Sequence, residues 1–296
     1  MQQVVAAPVV VPSPRWAVIG ALLVVYLVWG STYFALKVAL ETIPPFLVAG
    51  PRYLAAGAAL YAFLRFRGAP APTRQEWIDS AKVGALLLVG GNGGVALAQR
   101  SVSSSVAAVV VATMPIWAAL FAALSSARER PTRREVLGLA LGFGGIALLH
   151  AGGSIHLDAA GAFIVLAPIC WALGSVWSRR LALPAGGMAT AAQMLTGGAM
   201  MLAIGLARGE RLHHLPSGRS LSAVVYLVVM GSIVAFSAYT WLLRNVRPAV
   251  AMSYAFVNPL VALGLGVLVA GEPFSVLTGL AVATSLLGVG VILRPR

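Results

Sequence analysis

The chain is written in long apolar stretches separated by short polar breaks. A helix needs about 20 mostly apolar residues to cross the hydrocarbon core of a bilayer. Ten stretches approach or meet that length: residues 16–38, 46–65, 80–99, 103–125, 134–150, 158–179, 188–207, 220–243, 248–270 and 275–293. The breaks carry helix-stopping chemistry, including Pro44–Pro45, Arg67–Gly68–Ala69–Pro70, Arg130–Pro131, Gly152–Gly153, Pro184, Pro216 and Glu272–Pro273. None is long enough to hold a soluble domain. The pattern predicts an all-α integral membrane protein with ten transmembrane helices.

Inside the apolar stretches, polar and aromatic residues recur at helical spacing. In the first, Tyr26, Trp29–Gly30, Tyr33 and Lys37 form one stripe. Asn92, Ala96 and Gln99 share a side of the third, and Trp171, Gly174–Ser175 and Ser178 a side of the sixth. Gln193 and Gly197 mark the seventh, Ser232, Phe236 and Tyr239 the eighth, and Arg247, Ala251, Tyr254 and Asn258 the ninth. A buried amide in lipid is costly unless paired. Asn92, Gln193 and Asn258 should therefore face either a wet cavity, where they bind substrate, or a neighbouring helix. Trp29, Tyr33, Trp117, Trp171, Tyr239 and Tyr254 could wall such a cavity with rings, or simply pack. Trp16, Tyr53, Trp77 and Tyr226 read as an interfacial belt. Lys37, at a helix end, either captures a carboxylate at the external mouth or snorkels to the interface, and Arg52 likewise lies near a helix end, too shallow for a cation deep in the cavity.

The stripes repeat. Gly30–Ser31 returns as Gly174–Ser175, Arg100 as Arg244 and Pro115 as Pro259, each 144 positions on. Glu129 before Pro131 pairs with Glu272 before Pro273, and Gly138 with Gly279. The repeats run over 16–150 and 158–293, after a tail at 1–15. Each holds five spans, an odd number, so the second half begins on the opposite side of the membrane. Inverted-topology repeats place a substrate site near the bilayer midplane and permit alternating access. Pro115 and Pro259, inside equivalent spans, are a candidate hinge pair, because each removes a backbone donor.

Charge then fixes orientation. Fifteen of the twenty-one Lys and Arg, among them Arg15, Arg65, Arg67, Arg133, Arg134 and Arg294, fall on the side of the termini. Positive loops stay inside, so both termini are expected in the cytoplasm. The net charge of +13 thereby needs no nucleic acid. Only 10% of residues are charged and 59% are hydrophobic, with a mean hydropathy of +0.90. A soluble domain carries about 25% charged residues. The single cysteine, Cys170, excludes an intramolecular disulfide. The first fifteen residues lack an early basic cluster and contain Pro8, Pro12 and Pro14, so they do not read as a signal peptide.

WGSTYFALKVAL at 29–40, RSVSSSVAAVVVATMPIWAAL at 100–120 and RNVRPAVAMSYAFVNPLVALG at 244–264, followed by GEP at 271–273, resemble the drug/metabolite transporter superfamily, specifically EamA-type exporters. The resemblance covers nearly the whole chain. It implies a bacterial-type inner-membrane exporter of amino acids, including aromatic ones, or of other small amphipathic metabolites. It also implies that the fifth and tenth helices stand outside the central cavity. Relatives in the wider superfamily carry nucleotide sugars or phosphorylated sugars, which would require cations deep in the cavity.

Rival chemistry finds little support. VGGNGG at 89–94 lacks a following GK[ST] and a preceding strand, so it is no phosphate loop. There is no HExxH, no pair of intramembrane carboxylates, and no His beside Cys170. No enzyme, metal or cofactor is expected. The expected partners are a small-molecule substrate and the lipid bilayer, with the substrate cavity neutral and aromatic. Gly138 and Gly142 form a GxxxG pair that could pack within the chain or between chains. Glu129 and Glu272, before the fifth and tenth helices, suit capping.

Overall fold

The computed structural model describes residues 14–98, 110–125, 130–149, 162–270 and 276–294. Among these there is helix and no strand. We number the helices α1 (Arg15–Ala39), α2 (Pro45–Phe66) and α3, which is α-helical over Arg74–Gly84, π-helical over Ala85–Gly93 and α-helical again over Gly94–Ala98. Then come α4 (Met114–Leu124), α5 (Arg133–Leu149), α6 (Ala162–Ser178) and α7 (Gly187–Ala207). Helix α8 is α-helical over Gly218–Tyr226, π-helical over Leu227–Ala235 and α-helical over Phe236–Asn245. Helix α9 begins as Pro248–Ala251, turns at residues 252–253 and continues as Tyr254–Ala270, and α10 spans Val276–Leu293. Seven helices, α1, α2, α3, α7, α8, α9 and α10, are long and apolar enough to cross a membrane. Met114–Leu124 and Phe163–Ser178 are apolar but shorter.

Capping explains why some helices start earlier than hydropathy predicts. The third span is expected from residue 80, yet α3 starts at Arg74. Thr73 Oγ1 accepts from Glu76 N at 3.3 Å and Glu76 Oε2 accepts from Thr73 N at 2.7 Å, a reciprocal capping box. Thr132 and Glu135 repeat the device ahead of α5, and Ser217 caps α8 through the amide of Ser220. These polar first turns lie before the hydrophobic run that a sliding window detects. Another start is capped from the other half: Glu210 Oε2 accepts from the amides of Phe46 at 2.9 Å and Leu47 at 3.1 Å, beyond the end of α7.

The helices interlock across the two halves. Helix α1 packs on α8 and α9, and its counterpart α6 packs on α3 and α4. Helix α2 packs on α7, and α5 on α10. Exchanging the halves leaves these pairings unchanged. Helix α1 buries Val25, Tyr26 and Trp29 inward while exposing Ile19, Leu23, Leu27 and Phe34. A helix that is apolar all round and still exposes large side chains belongs in lipid.

The α5–α10 pair packs closely through glycines. Gly138 faces Ile292 and the carbonyl of Gly288, Gly142 faces the Phe256 ring, and Gly145 faces the backbone of Ser285. The GxxxG pair thus packs within the chain. Small residues let transmembrane backbones approach where lipid offers no hydrophobic drive. Pro259 lies inside α9, whereas Pro115 occupies the first turn of α4, where a missing N–H costs little. The break in the fourth span therefore precedes Pro115, at residues 112–113. Pro168 and Pro51 also sit inside helices, α6 and α2. Arg100, Gln99, Glu129 and Glu272 lie outside the described residues, as does the side chain of Tyr33.

Candidate functional site

The interlocked helices leave a cavity of about 120 Å³ between the halves. Trp29, Trp171, Tyr254 and Tyr53 supply its rings, Asn92 and Asn258 its amides, and Arg52 a cation. The two tryptophans are placed by the two π-helical segments. Trp29, from the first half, donates from Nε1 to the carbonyl of Gly231 in the second-half π segment at 3.0 Å. Trp171, from the second half, lies against Gly91 in the first-half π segment, so closely that a Cβ at Gly91 would meet its Cε3 at 2.6 Å. A π segment adds a residue to the turn and redirects the backbone, which is why such segments gather at functional sites.

The rings form one cluster. The Trp29 centroid lies 5.7 Å from Trp171 at 82°, 4.8 Å from Tyr254 at 76° and 5.1 Å from Tyr239. Edge-to-face pairs of this kind are worth about 0.5–1.5 kcal/mol beyond their area. Tyr239 is fully buried behind them: its hydroxyl accepts from Trp171 Nε1 at 2.8 Å and shares a 2.7 Å hydrogen bond with Ser175 Oγ. Tyr254 donates to Met114 Sδ at 3.2 Å. The hydroxyls of Tyr26 and Ser253 are hydrogen-bonded, tying α1 to α9.

The amides divide. Asn258 is buried, and its amide nitrogen faces the carbonyls of Tyr26 at 3.2 Å and Tyr254 at 3.3 Å, so it bridges α1 and α9 at the cavity edge. Asn92 projects from the π segment into the cavity wall. Gln193 lies on α7, outside the cavity lining, where it is 2% exposed and its Oε1 has no partner. Trp117 also stands apart, donating to Thr113 Oγ1 at 3.2 Å and stacking on Phe121. Lys37 is exposed in the last turn of α1.

Two expectations are corrected here. Arg52 does not sit at a shallow helix end: it is the eighth residue of α2, 8% exposed, and lines the cavity, so the cavity is not neutral. Its Nε donates to Ser232 Oγ at 2.7 Å, and its guanidinium sits 4.7 Å from the Tyr53 ring centroid. No described carboxylate pairs with it. Glycine at 231 makes room for it, since a Cβ there would lie 2.9 Å from Arg52 Nη2. Tyr53, read as interfacial, is 4% exposed and lines the cavity, and Tyr226, read likewise, hydrogen-bonds Ser31 Oγ at 2.6 Å. A signal for Arg52 was present: it is the one charged residue between 46 and 64.

An aromatic box with one guanidinium can take an amphipathic solute, holding an anionic group by charge-assisted hydrogen bonds and an apolar or cationic part against rings. Comparisons with known proteins agree on the class. The model of the EamA-like transporter family matches residues 15–151 and again 159–294. An uncharacterized inner membrane transporter of Escherichia coli, YedA, is 42% identical over 92% of this chain and 89% of its own. A WAT1-related chloroplastic protein of Arabidopsis thaliana is 26% identical over 90% of this chain and 67% of its own. A solved crystal structure at 20% identity superposes with a TM-score of 0.81, covering 95% of this chain and 97% of that one, which is a likeness of fold. The chain belongs to the EamA-like transporter family and is a membrane transporter.

Proposed function

We propose that the protein exports amino acids, including aromatic ones, or closely similar carboxylate-bearing amphipathic metabolites. The observation that carries this reading is the buried Arg52 beside the Trp29–Trp171–Tyr254 cluster. A guanidinium is a fork matched to a carboxylate, and the rings suit a side chain or an ammonium group. Asn92 is the amide best placed to add a hydrogen bond to the solute. Gln193 and Trp117 are assigned to packing instead. A phosphate-ester or nucleotide-sugar carrier is the weaker reading, because the described cavity lining contains a single cation.

In this reading ten helices cross the bacterial-type inner membrane, with both termini cytoplasmic, as two inverted repeats near 16–150 and 158–293. The exchange-symmetric pairing of α1 with α8 and α9, and of α6 with α3 and α4, supports it. Access alternates as one half rocks on the other, with Pro259 bending α9 and the break ahead of Pro115 loosening α4. Export is driven by the solute gradient.

Liposomes reconstituted with the purified chain and a panel of labelled amino acids test the substrate class. Saturable flux of at least one aromatic amino acid is expected, and no flux of a labelled sugar phosphate. The reverse result would transfer the protein to the ester-carrier class. Within that assay, Asn92→Leu should raise the half-saturation concentration about tenfold, the worth of one good hydrogen bond. Gln193→Leu should leave transport unchanged, because its amide stands away from the cavity.

A further inference from the structure

A second and larger cavity, about 890 Å³, opens between α1 and the α5–α10 pair at the end of the molecule where α1 begins and α10 ends. Among the described residues, Arg15, Arg133, Arg134, Arg247 and Arg294 line it, with Glu135 as the one carboxylate. These described groups, five cations against one anion, sum to a formal charge of +4. That carboxylate is already engaged: Glu135 Oε1 lies 2.6 Å from Arg247 Nη1, and Oε2 accepts from Thr132 N at 2.7 Å. Arg15, Arg133 and Arg294 are exposed around it. Helices α1 and α5 both point their N-termini here, and no described side chain caps α1. Their amide ends add to the positive potential.

Below the arginines the walls turn apolar, with Ile19 and Leu22 from α1 facing Ile292 and Leu293 from α10. Ile19 is 56% exposed, and Trp16, beside Arg15, is 76% exposed. In a membrane protein such side chains stand in the acyl region and at the headgroup level, respectively. A cationic rim over a greasy slot has the shape of a lipid, with a phosphate at one end and hydrocarbon at the other. Basic pockets between transmembrane helices hold anionic headgroups.

We propose that this cleft is a binding site for an anionic phospholipid, whose phosphate is held by Arg15, Arg133 and Arg294 and whose chains lie against α1 and α10. It is separate from the transport cavity and does not depend on which solute is carried.

The test uses the full chain, purified in mild detergent and stripped of lipid. Native mass spectrometry then compares phosphatidylglycerol with phosphatidylethanolamine of the same acyl chains. Phosphatidylglycerol should bind at least tenfold more tightly. The triple variant R15Q/R133Q/R294Q should lose that preference, and R15K/R133K/R294K, which keeps the charges, should retain most of it. R208Q/R211Q/R219Q, altered elsewhere, should behave as the parent. Circular dichroism verifies that every variant stays helical. Equal binding of the two lipids by the parent, or a preference untouched in the triple glutamine variant, would overturn the proposal. So would displacement of phosphatidylglycerol by millimolar inorganic phosphate, which would make this a site for the free anion. A preference emerging only after residues 1–13 are deleted would make that apolar tail the occupant and likewise refute the lipid.

Discussion

Arg52→Gln lowers amino-acid flux through reconstituted protein at least about thirtyfold, on the function proposed here. Truncating one partner of a desolvated, hydrogen-bonded charge pair costs roughly 2–5 kcal/mol, and every 1.4 kcal/mol is a factor of ten. The loss should fall mainly on solutes with a free carboxylate. An amino acid amide, lacking that group, should be carried poorly by the parent and no worse by the variant. Arg52→Lys keeps a cation but loses the planar fork, so an intermediate defect of about tenfold is expected. The glutamine can still reach toward Ser232, and no described carboxylate pairs with Arg52 to be left stranded by the change. Folding should survive, and the thermal transition of the detergent-solubilised variant measures that separately. Unaltered flux in Arg52→Gln would remove the carboxylate assignment.

Gly145→Leu breaks the α5–α10 clasp. A Cβ at Gly145 would lie 2.5 Å from Ser285 N and 2.7 Å from Ala281 O, both backbone atoms of the facing helix. No side-chain rotation relieves that, so the two helices must part. Overpacking costs about 1–3 kcal/mol where side chains can yield and more where they cannot; we expect at least about 3 kcal/mol here. Gly144 is the control, one residue away, with nothing within 4 Å of its Cβ position. Gly144→Leu should therefore be close to neutral. Folded yield after detergent extraction, followed by thermal unfolding, separates the two. Equal behaviour of Gly144→Leu and Gly145→Leu would mean that α5 and α10 are not so closely engaged.

The apolar helices, the two-half organisation and the family were legible because each rests on a property that local sequence carries. Hydropathy over some twenty residues identifies a helix that lipid can surround, and Gly30–Ser31 with Gly174–Ser175 betray the duplication. The inward stripe of Tyr26 and Trp29 followed from helical spacing. Arg52 was misjudged because distance along the chain from Pro45 was taken for distance from water. What buries Arg52 is the π segment of α8, about 180 residues away in sequence. That segment was itself invisible, since Leu227–Ala235 reads as an ordinary apolar helix and only its packing widens the turn. Gln193 shows the converse: an amide in a greasy helix looks the same in sequence whether it meets a solute or a neighbour. Tyr53 was assigned to the interface by the same arithmetic that misplaced Arg52, its neighbour.

The guanidinium of Arg52 is balanced by no described carboxylate, and the proposed cycle therefore runs unevenly. With solute aboard, the carboxylate pairs with the guanidinium while the ammonium group of the solute rests against the rings. Once the solute leaves, the protein must reorient with an unpaired, largely buried cation, a costlier step. The empty return then limits turnover. Solute supplied on the far side should accelerate release of labelled solute from the near side, so that counterflow outpaces net efflux. Equal rates of exchange and net efflux would show that Arg52 finds another anion on its way back.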